Sequence, residues 1–192
     1  TSLVLGTSSG IHAWHNDYYI RRLRVGKNEA IYNYLKIHNP ELVADEYFRP
    51  HDTAVIEIPQ SAPKGSILRT ESAFDLLKRV KKVATEWVKP GHRKGSNTHN
   101  VSATISLKSD EWDKAGKWMW ENRDCYNGLS VLPYDGGTYT QAPFEDITKK
   151  EFDKRVKSLN YINLSNIEET TDETDLSGEL ACAGGVCEIT SL

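Results

Sequence analysis

The chain of 192 residues lacks any run of about 18 apolar residues, the length that a membrane-spanning helix needs. It also has no basic segment followed by an apolar one near its start, so the sequence predicts no secretory signal peptide. Cysteine is scarce, with three in the whole chain, and this excludes a disulfide-rich secreted scaffold. These absences favour a cytoplasmic protein, and the length suits one domain with a sizeable core.

Basic residues are missing from the end of the chain. All 24 Lys and Arg lie at or before Lys157, whereas seven acidic residues and no basic ones follow Asn160. Residues 1–159 therefore carry 20 acids against 24 bases, a net charge of +4, and the remainder carries −7. This division predicts a folded body over residues 1–160 and a flexible acidic tail over 161–192. Since no dense basic stripe occurs, nucleic-acid binding is not indicated.

The first residues raise the question of whether the chain is a piece of a longer protein. It opens at Thr1 without a methionine and enters the apolar stretch Leu3–Leu5 at once. We interpret this as a fragment; removal of a short leader is the alternative. If a glycine-rich turn precedes Thr1, the hydroxyls of Thr1 and Ser2 would open a helix and form an anion-binding end. The alternative is an end without a role.

Hydrophobic periodicity predicts alternating strands and helices. Period-two or β-branched segments predict four strands, at Tyr18–Val25, Thr53–Ile58, Val101–Leu107 and a short buried one at Leu129–Leu132. Spacings of three and four predict four helices: Lys27–His38, a long one capped by Thr70 or Ser72 and ending at Val88, residues 109–122, and Thr148–Leu159. Their inward side chains are predicted to include Trp87, Trp112, Trp118, Trp120, Phe152 and Val156. This order favours an α/β body whose sheet is at least partly parallel.

Two cysteines near the end of the chain carry the strongest chemical signal. Cys182 and Cys187 enclose Ala-Gly-Gly-Val, and the two glycines let the backbone turn sharply enough for a disulfide to close this small ring. Such a short loop adds little stability, so the value of the bond would lie in being made and broken. A dithiol on a flexible arm can reach a buried disulfide and exchange with it. Two cysteines without a function, or a zinc site, are the alternatives.

Other cysteine and histidine residues give weaker signals. Cys125 stands alone and is expected to be a buried structural thiol. His12 and His15 would share one face of a helix, which suggests a metal site, but no third ligand lies nearby and a loop or surface role is favoured. His92 and His99 are interpreted as polar loop residues. The segment Asp135–Thr138 is read as a tight turn rather than a metal or phosphate loop.

Six segments spread over nearly the whole chain, taken in order, resemble the large-subunit family of ribonucleotide reductases, in particular its adenosylcobalamin-dependent class II. The terminal cysteine pair and GTSSGI are the most specific of them. The segments are GTSSGI (6–11), YIRRLRVGKNEA (19–30), NVSATI (100–105), NGLSVLPYDGGTYTQ (127–141), APFED (142–146) and CAGGVC (182–187).

The resemblance implies the C-terminal part of a ten-stranded α/β barrel, followed by the tail. In this family a thiyl radical, generated with adenosylcobalamin, takes the 3′ hydrogen of a ribonucleotide, and a cysteine pair in the barrel reduces the 2′ position. The tail pair, here Cys182 and Cys187, would re-reduce that barrel disulfide and be reset by thioredoxin or glutaredoxin. Thr1 and Ser2 would be the last residues of the substrate-phosphate loop. The deoxyribonucleotides that this family makes are the precursors for DNA replication.

The sequence also departs from the family pattern. The radical cysteine in its Asn-x-Cys-x-Glu setting, the barrel cysteine pair and the effector region would lie upstream, and Cys125 does not fit the radical motif. The tyrosine pair of the iron-dependent class is not evident near the end, since Tyr18 and Tyr19 lie near the start. The chain alone is therefore expected to be inactive. A stand-alone thiol–disulfide or zinc-binding α/β module is the alternative function.

Overall fold

The computed structural model describes residues 5–134 and 139–168. Their strands are β1 (Tyr18–Gly26), β2 (Val43–Asp45), β3 (Thr53–Ser61), β4 (Thr104–Leu107), β5 (Ser130–Pro133) and β6 (Phe144–Asp146). Their longer helices are α1 (Ala30–His38), α2 (Ala73–Val83), α3 (Trp112–Glu121) and α4 (Lys149–Ser158). Short 3-10 turns occur at Pro40–Leu42, Arg123–Cys125 and Leu164–Asn166. None of the described helices combines the length and the apolar character that crossing a membrane requires.

The strands form two sheets. One has four strands in the order β2-β3-β1-β6, with β2 antiparallel to β3 and β6 antiparallel to β1. In the other, β4 and β5 run parallel, and Thr104 lies opposite Ser130. The α/β class and the partly parallel sheet are confirmed, although the larger sheet has antiparallel neighbours that the alternating order of elements did not predict.

The chain divides into two compact units. Unit 1 comprises the described residues up to Arg21 and those from Pro59 to Lys154, and unit 2 comprises Arg22–Ile58 and the described residues from Arg155 onward. The predicted boundary between a body of residues 1–160 and a tail of 161–192 stays a prediction, because residues 169–192 lie outside the described part.

The core of unit 1 lies between α2, α3 and β4. Ser72 caps α2 by accepting a hydrogen bond from the Asp75 amide at 3.3 Å, and the helix then repeats apolar residues at spacings of three and four. In β4 the side chains alternate, with Ile105 and Leu107 buried and their neighbours exposed. The buried cluster consists of Ala73, Leu76, Leu77, Val80, Ala84, Val101, Ala103, Ile105, Leu107 and Ala115.

The core of unit 2 is smaller and includes a buried polar clamp. Leu35, Leu42 and Ile56 pack together at the end of α1. Asn39, which is fully buried, accepts a hydrogen bond from the Asn160 amide at 2.7 Å and donates one to the Asn160 carbonyl at 3.4 Å. These bonds satisfy the buried amide and hold the segment after α4 against the end of α1.

Three of the four tryptophans predicted to be core residues are exposed. Trp87, Trp120 and Trp112 expose 78%, 70% and 43% of their surface, while Trp118 packs against the unit 1 core as predicted. For Trp87 the cause is a π-helical turn over Ala84–Val88, whose wider hydrogen bonding shifts the apolar positions away from helical spacing. On α3, Ala115, Trp118 and Met119 take the inward positions, which leaves the others facing outward.

Two further burial predictions are wrong. Val156 on α4 is 44% exposed. The strand predicted to be buried, β5, is largely exposed: Val131 packs against the unit 1 core, whereas Ser130, Leu132 and Pro133 are exposed, Leu132 at 42%. Parallel strands are ordinarily covered on both faces and have apolar sequences for that reason. The sequence of β5 is typical of such a buried strand, although most of its side chains are exposed.

Candidate functional site

The residues that the sequence predicted to act chemically all fall outside the described part of the chain. This holds for the tail pair Cys182 and Cys187 and for Thr1 and Ser2; the Asp135–Thr138 segment, interpreted as a tight turn, lies outside it as well. Their placement therefore stays a prediction. What the structure does describe is the loop that follows Thr1 and Ser2, and the side chains that hold it.

The loop Gly6–His12 is held against β4 by one histidine. Gly6 and Gly10 have φ values of +60° and +57°, a left-handed conformation that favours glycine. His12 Nδ1 lies 2.8 Å from the Ser9 carbonyl, and His12 Nε2 accepts a hydrogen bond from the Thr104 amide at 3.0 Å. Because Nε2 accepts, the proton must sit on Nδ1, and the ring is the neutral Nδ1–H tautomer. Both ring nitrogens are thus occupied in fixing the loop.

An ion pair holds the same loop from α2. Arg79 Nη1 donates to Glu71 Oε2 at 2.7 Å, and Arg79 Nε donates to the Ile11 carbonyl at 3.1 Å. The side chains of Glu71 and Arg79 are only 14% and 25% exposed. The hydrogen bond to Glu71 raises the pKa of Arg79 above its usual value. A fixed positive charge on α2 therefore positions the loop backbone at Ile11.

A second cluster forms around His15 in unit 1. The ring of His15 stacks on Phe144 at 5.0 Å between centroids and meets Tyr19 edge-on at 5.4 Å. His15 Nε2 lies 3.0 Å from Asp146 Oδ1, and Arg69 Nη2 lies 3.1 Å from the other oxygen of that carboxylate. This contact between His15 and Asp146 does not have the geometry of a hydrogen bond. The buried Nε2 atom of His15 therefore has no hydrogen-bond partner among the described residues.

The electrostatic setting keeps His15 neutral. Burial, and after it the nearby positive charge of Arg69, lower the pKa of His15 from 6.5 to about 4, a net shift that the neighbouring Asp146 carboxylate offsets only in part. A neutral imidazole beside a carboxylate can accept a proton in acid. Among the described residues, no group of three His, Cys, Asp or Glu side chains is arranged to hold a metal ion. The suggested His12–His15 metal site thus gains no further ligand there.

Sequence reasoning missed both clusters for the same reason. His12 and His15 were noticed as a pair, but their partners Thr104 and Asp146 lie far along the chain and carry no local signal. A further mark of the His15 cluster lies in the backbone, where the structure and not the sequence reveals it. Gln141 has a φ of +54°, a conformation uncommon for a residue other than glycine, just before the strand that carries Asp146.

We expect acid to destabilise the fold through His15. Its pKa is 6.5 when unfolded and about 4 when folded, so the unfolded state binds the proton first. The contribution is greatest above pH 6.5 and is lost as the pH falls toward 4. It amounts to about 2 kcal/mol between pH 7 and pH 5. Urea unfolding of the wild type and of His15→Gln at both pH values measures it; equal losses in the two proteins would contradict it.

Unit 1 also contains a cavity of about 260 Å³. It lies between the π-helical turn, the loop before β4 and the segment after α3, and its walls include Ala84, Val88, Lys89, Thr98, Cys125 and Asn127. Cys125 is a free thiol with 8% of its surface exposed, which confirms the prediction of a buried structural cysteine.

Comparisons with known proteins identify what the chain resembles. No family model matches it. It is 26% identical over 198 residues to the adenosylcobalamin-dependent ribonucleoside-triphosphate reductase of Lactobacillus delbrueckii subsp. bulgaricus, 28% over 193 residues to that of Lactobacillus acidophilus, and 25% over 192 residues to that of Euglena gracilis. Each match covers 97% of this chain and 25% of the relative. The chain thus spans a quarter of the length of these relatives.

The fold agrees with these relationships. A crystal structure of a B-12 dependent (class II) ribonucleotide reductase superposes with a TM-score of 0.64 at 24% identity, over 81% of this chain and 21% of that one. The described residues therefore share the fold of part of a class II enzyme. The resemblance predicted from the six sequence segments is confirmed: the chain is related over nearly its whole length to adenosylcobalamin-dependent ribonucleoside-triphosphate reductases.

Proposed function

We propose that this chain is the C-terminal portion of an adenosylcobalamin-dependent ribonucleotide reductase, which converts ribonucleotides to deoxyribonucleotides by thiyl-radical chemistry. The observation that carries the proposal is the match to reductases of that name over 97% of this chain. Residues 1–160 would supply part of the ten-stranded α/β barrel, and the radical cysteine would come from the preceding part of the same enzyme. The relatives are named for triphosphate reduction, which makes a ribonucleoside triphosphate the first substrate to test.

In this proposal the tail restores the reducing power of the active site. Each turnover oxidises two barrel thiols to a disulfide. The Cys182 or Cys187 thiolate attacks that disulfide, and the second tail thiol resolves the mixed disulfide, so that the barrel regains two thiols and the tail becomes oxidised. Thioredoxin or glutaredoxin then reduces the tail pair by the same exchange. Two electrons pass at each step, and no other reductant is needed.

The loop Gly6–His12 supports a substrate-binding role for the residues before it. Thr1 and Ser2 are proposed to bind the substrate phosphate. The backbone nine and ten residues after Ser2 is fixed by Arg79 at the Ile11 carbonyl and by His12 at the β4 amide. Rigid support of this kind would lower the ordering cost of substrate binding by the residues that precede the loop.

The cavity beside Cys125 does not fit adenosylcobalamin. Sites for drug-sized ligands measure roughly 300–1,000 Å³. The cavity of about 260 Å³ is smaller than these, whereas the cofactor joins a corrin ring to both a nucleotide and an adenosyl group. We therefore assign the binding of adenosylcobalamin to the whole enzyme and not to this cavity.

The coding DNA upstream of Thr1 gives the direct test of this proposal. It is expected to continue in frame into a segment with the Asn-x-Cys-x-Glu motif. Expression of the joined gene should give a protein that reduces ribonucleoside triphosphates when adenosylcobalamin and a dithiol are supplied, whereas the 192-residue chain alone should not. A start codon adjacent to Thr1, or turnover by the chain alone, would overturn the proposal in favour of a stand-alone thiol–disulfide module.

A further inference from the structure

The cavity beside Cys125 is part of a built structure in unit 1. One wall of the cavity is the π-helical turn Ala84–Val88, which directly follows α2. Such turns are rare in proteins overall, and those that occur are often found at functional sites. The opposite wall is cross-linked: Asn127 Nδ2 donates to the Thr98 carbonyl at 2.7 Å, and the Gly128 amide donates to Asn100 Oδ1 at 3.1 Å. These bonds hold the loop before β4 against the segment after α3.

The lining of this cavity has one basic residue, Lys89, and one acidic residue, Asp124, and the chain segment before β4 adds positive charge. From Trp87 to Ser109 the sequence has four Lys and Arg residues and no acid. Lys89 Nζ donates to the Asp124 carbonyl at 2.6 Å, and within the described part of the chain Lys89 has no carboxylate partner. Asp124 contributes the one acidic side chain in the lining. A cation held by a carbonyl at the edge of a cavity retains two further N–H donors for an anion.

The remaining lining residues define the shape of the ligand. Hydroxyl groups of Ser96 and Thr98 and the ring of His99 add donors on the loop side, while Ala84, Val88 and Val101 give an apolar floor. Several donors on one lining can serve the three oxygens of a phosphate group, which has more acceptor sites than a carboxylate. A cavity of about 260 Å³ has room for roughly eight waters at about 30 Å³ each, enough for a phosphate with a small carbon group.

We propose that this cavity is a binding site for a small phosphate monoester, whose phosphate group is held by Lys89, Ser96, Thr98 and His99 and whose carbon part rests on Val88 and Val101. The site is separate from the loop that follows Thr1 and Ser2. It does not depend on the reductase assignment, since it rests on residues of unit 1 alone.

Methyl phosphate, added to the ¹⁵N-labelled 192-residue chain at constant ionic strength, tests the proposal by NMR. The NMR signals of the Val88, Thr98 and Asn127 amides should shift and reach saturation as methyl phosphate is added. Acetate or chloride should shift these signals more weakly or not at all. Lys89→Gln should weaken binding about tenfold, the equivalent of 1.4 kcal/mol. Lys114→Gln, on the exposed face of α3, should leave it unchanged. Shifts that do not saturate, or that acetate and chloride reproduce, would overturn the site.

Ser96 offers a matched pair of variants that separates charge from shape. Ser96→Asp places a carboxylate in the lining and should abolish binding, whereas Ser96→Asn, of nearly the same size and without charge, should keep it within about threefold, or roughly 0.65 kcal/mol. Equal binding by both variants, or an equal loss in both, would contradict an anion site. A retained amide spectrum in each variant shows that the fold is intact.

Discussion

Thioredoxin-driven turnover by the complete reductase is expected to fall to background when Cys182 and Cys187 are both changed to serine. In the proposed cycle these thiols are the route by which electrons from a large protein dithiol reach the barrel disulfide, and serine cannot form a mixed disulfide. Turnover driven by a small dithiol such as dithiothreitol should largely survive, because a small molecule can enter the active site directly. The ratio of the two rates is therefore the readout.

Two controls make this comparison specific. Cys125→Ser should leave both rates near those of the wild type, since the thiol is buried in unit 1 and lies in no radical motif. Single changes at Cys182 or Cys187 should block thioredoxin-driven turnover as fully as the double change, because a resolving thiol is needed to release the mixed disulfide. If the double variant keeps its thioredoxin-driven rate, the tail has no shuttle role. If both rates vanish, the cysteines serve the chemistry or the fold rather than re-reduction.

Glu71→Gln is expected to destabilise unit 1 by about 3 kcal/mol. The change leaves the guanidinium of Arg79, whose side chain is 25% exposed, without its carboxylate partner. Removing one member of a largely buried pair costs more than the pair contributes, because the other charge stays desolvated. The loop at Ile11 should loosen as well, since Arg79 also holds its carbonyl. Chemical denaturation measures the first effect, and hydrogen exchange of the Gly6–His12 amides measures the second.

An exposed ion pair provides the matched control for this experiment. Lys117 and Glu121 lie 3.8 Å apart on α3 with side chains 77% and 57% exposed, and Glu121→Gln should cost less than about 0.5 kcal/mol. In the double variant Glu71→Gln/Arg79→Gln, part of the stability should return because no charge is left buried. A loss from Glu71→Gln as small as that from Glu121→Gln would show that the pair does not hold the loop.

Local patterns in the sequence predicted most of the fold. The strands at Tyr18, Thr53 and Leu129 lie where β-branched alternation placed them. Spacings of three and four placed the second helix, and of the two predicted caps, Thr70 and Ser72, the structure uses Ser72. The family resemblance came from ordered motifs spread along the chain. It did not depend on any single residue being correctly placed.

Other features could not be predicted because they depend on contacts between distant residues. The π-helical turn that exposes Trp87 has no local signature, and the setting of His15 depends on Asp146, more than a hundred residues away. The exposure of β5 follows from which elements cover it, and a hydrophobic run does not report this. The chemistry assigned to Cys182, Cys187, Thr1 and Ser2 rests on the resemblance and on the motifs themselves.

The redox behaviour of the Cys182–Cys187 pair tests the central claim most directly. Thiol alkylation and mass spectrometry across a series of redox buffers would give its reduction potential, with buried Cys125 as an internal reference that forms no disulfide. We predict a reversible disulfide near the thioredoxin value of about −270 mV, with rapid reduction by thioredoxin. A pair that never forms a disulfide at any buffer potential, or that binds zinc instead, would contradict the proposed role of the tail.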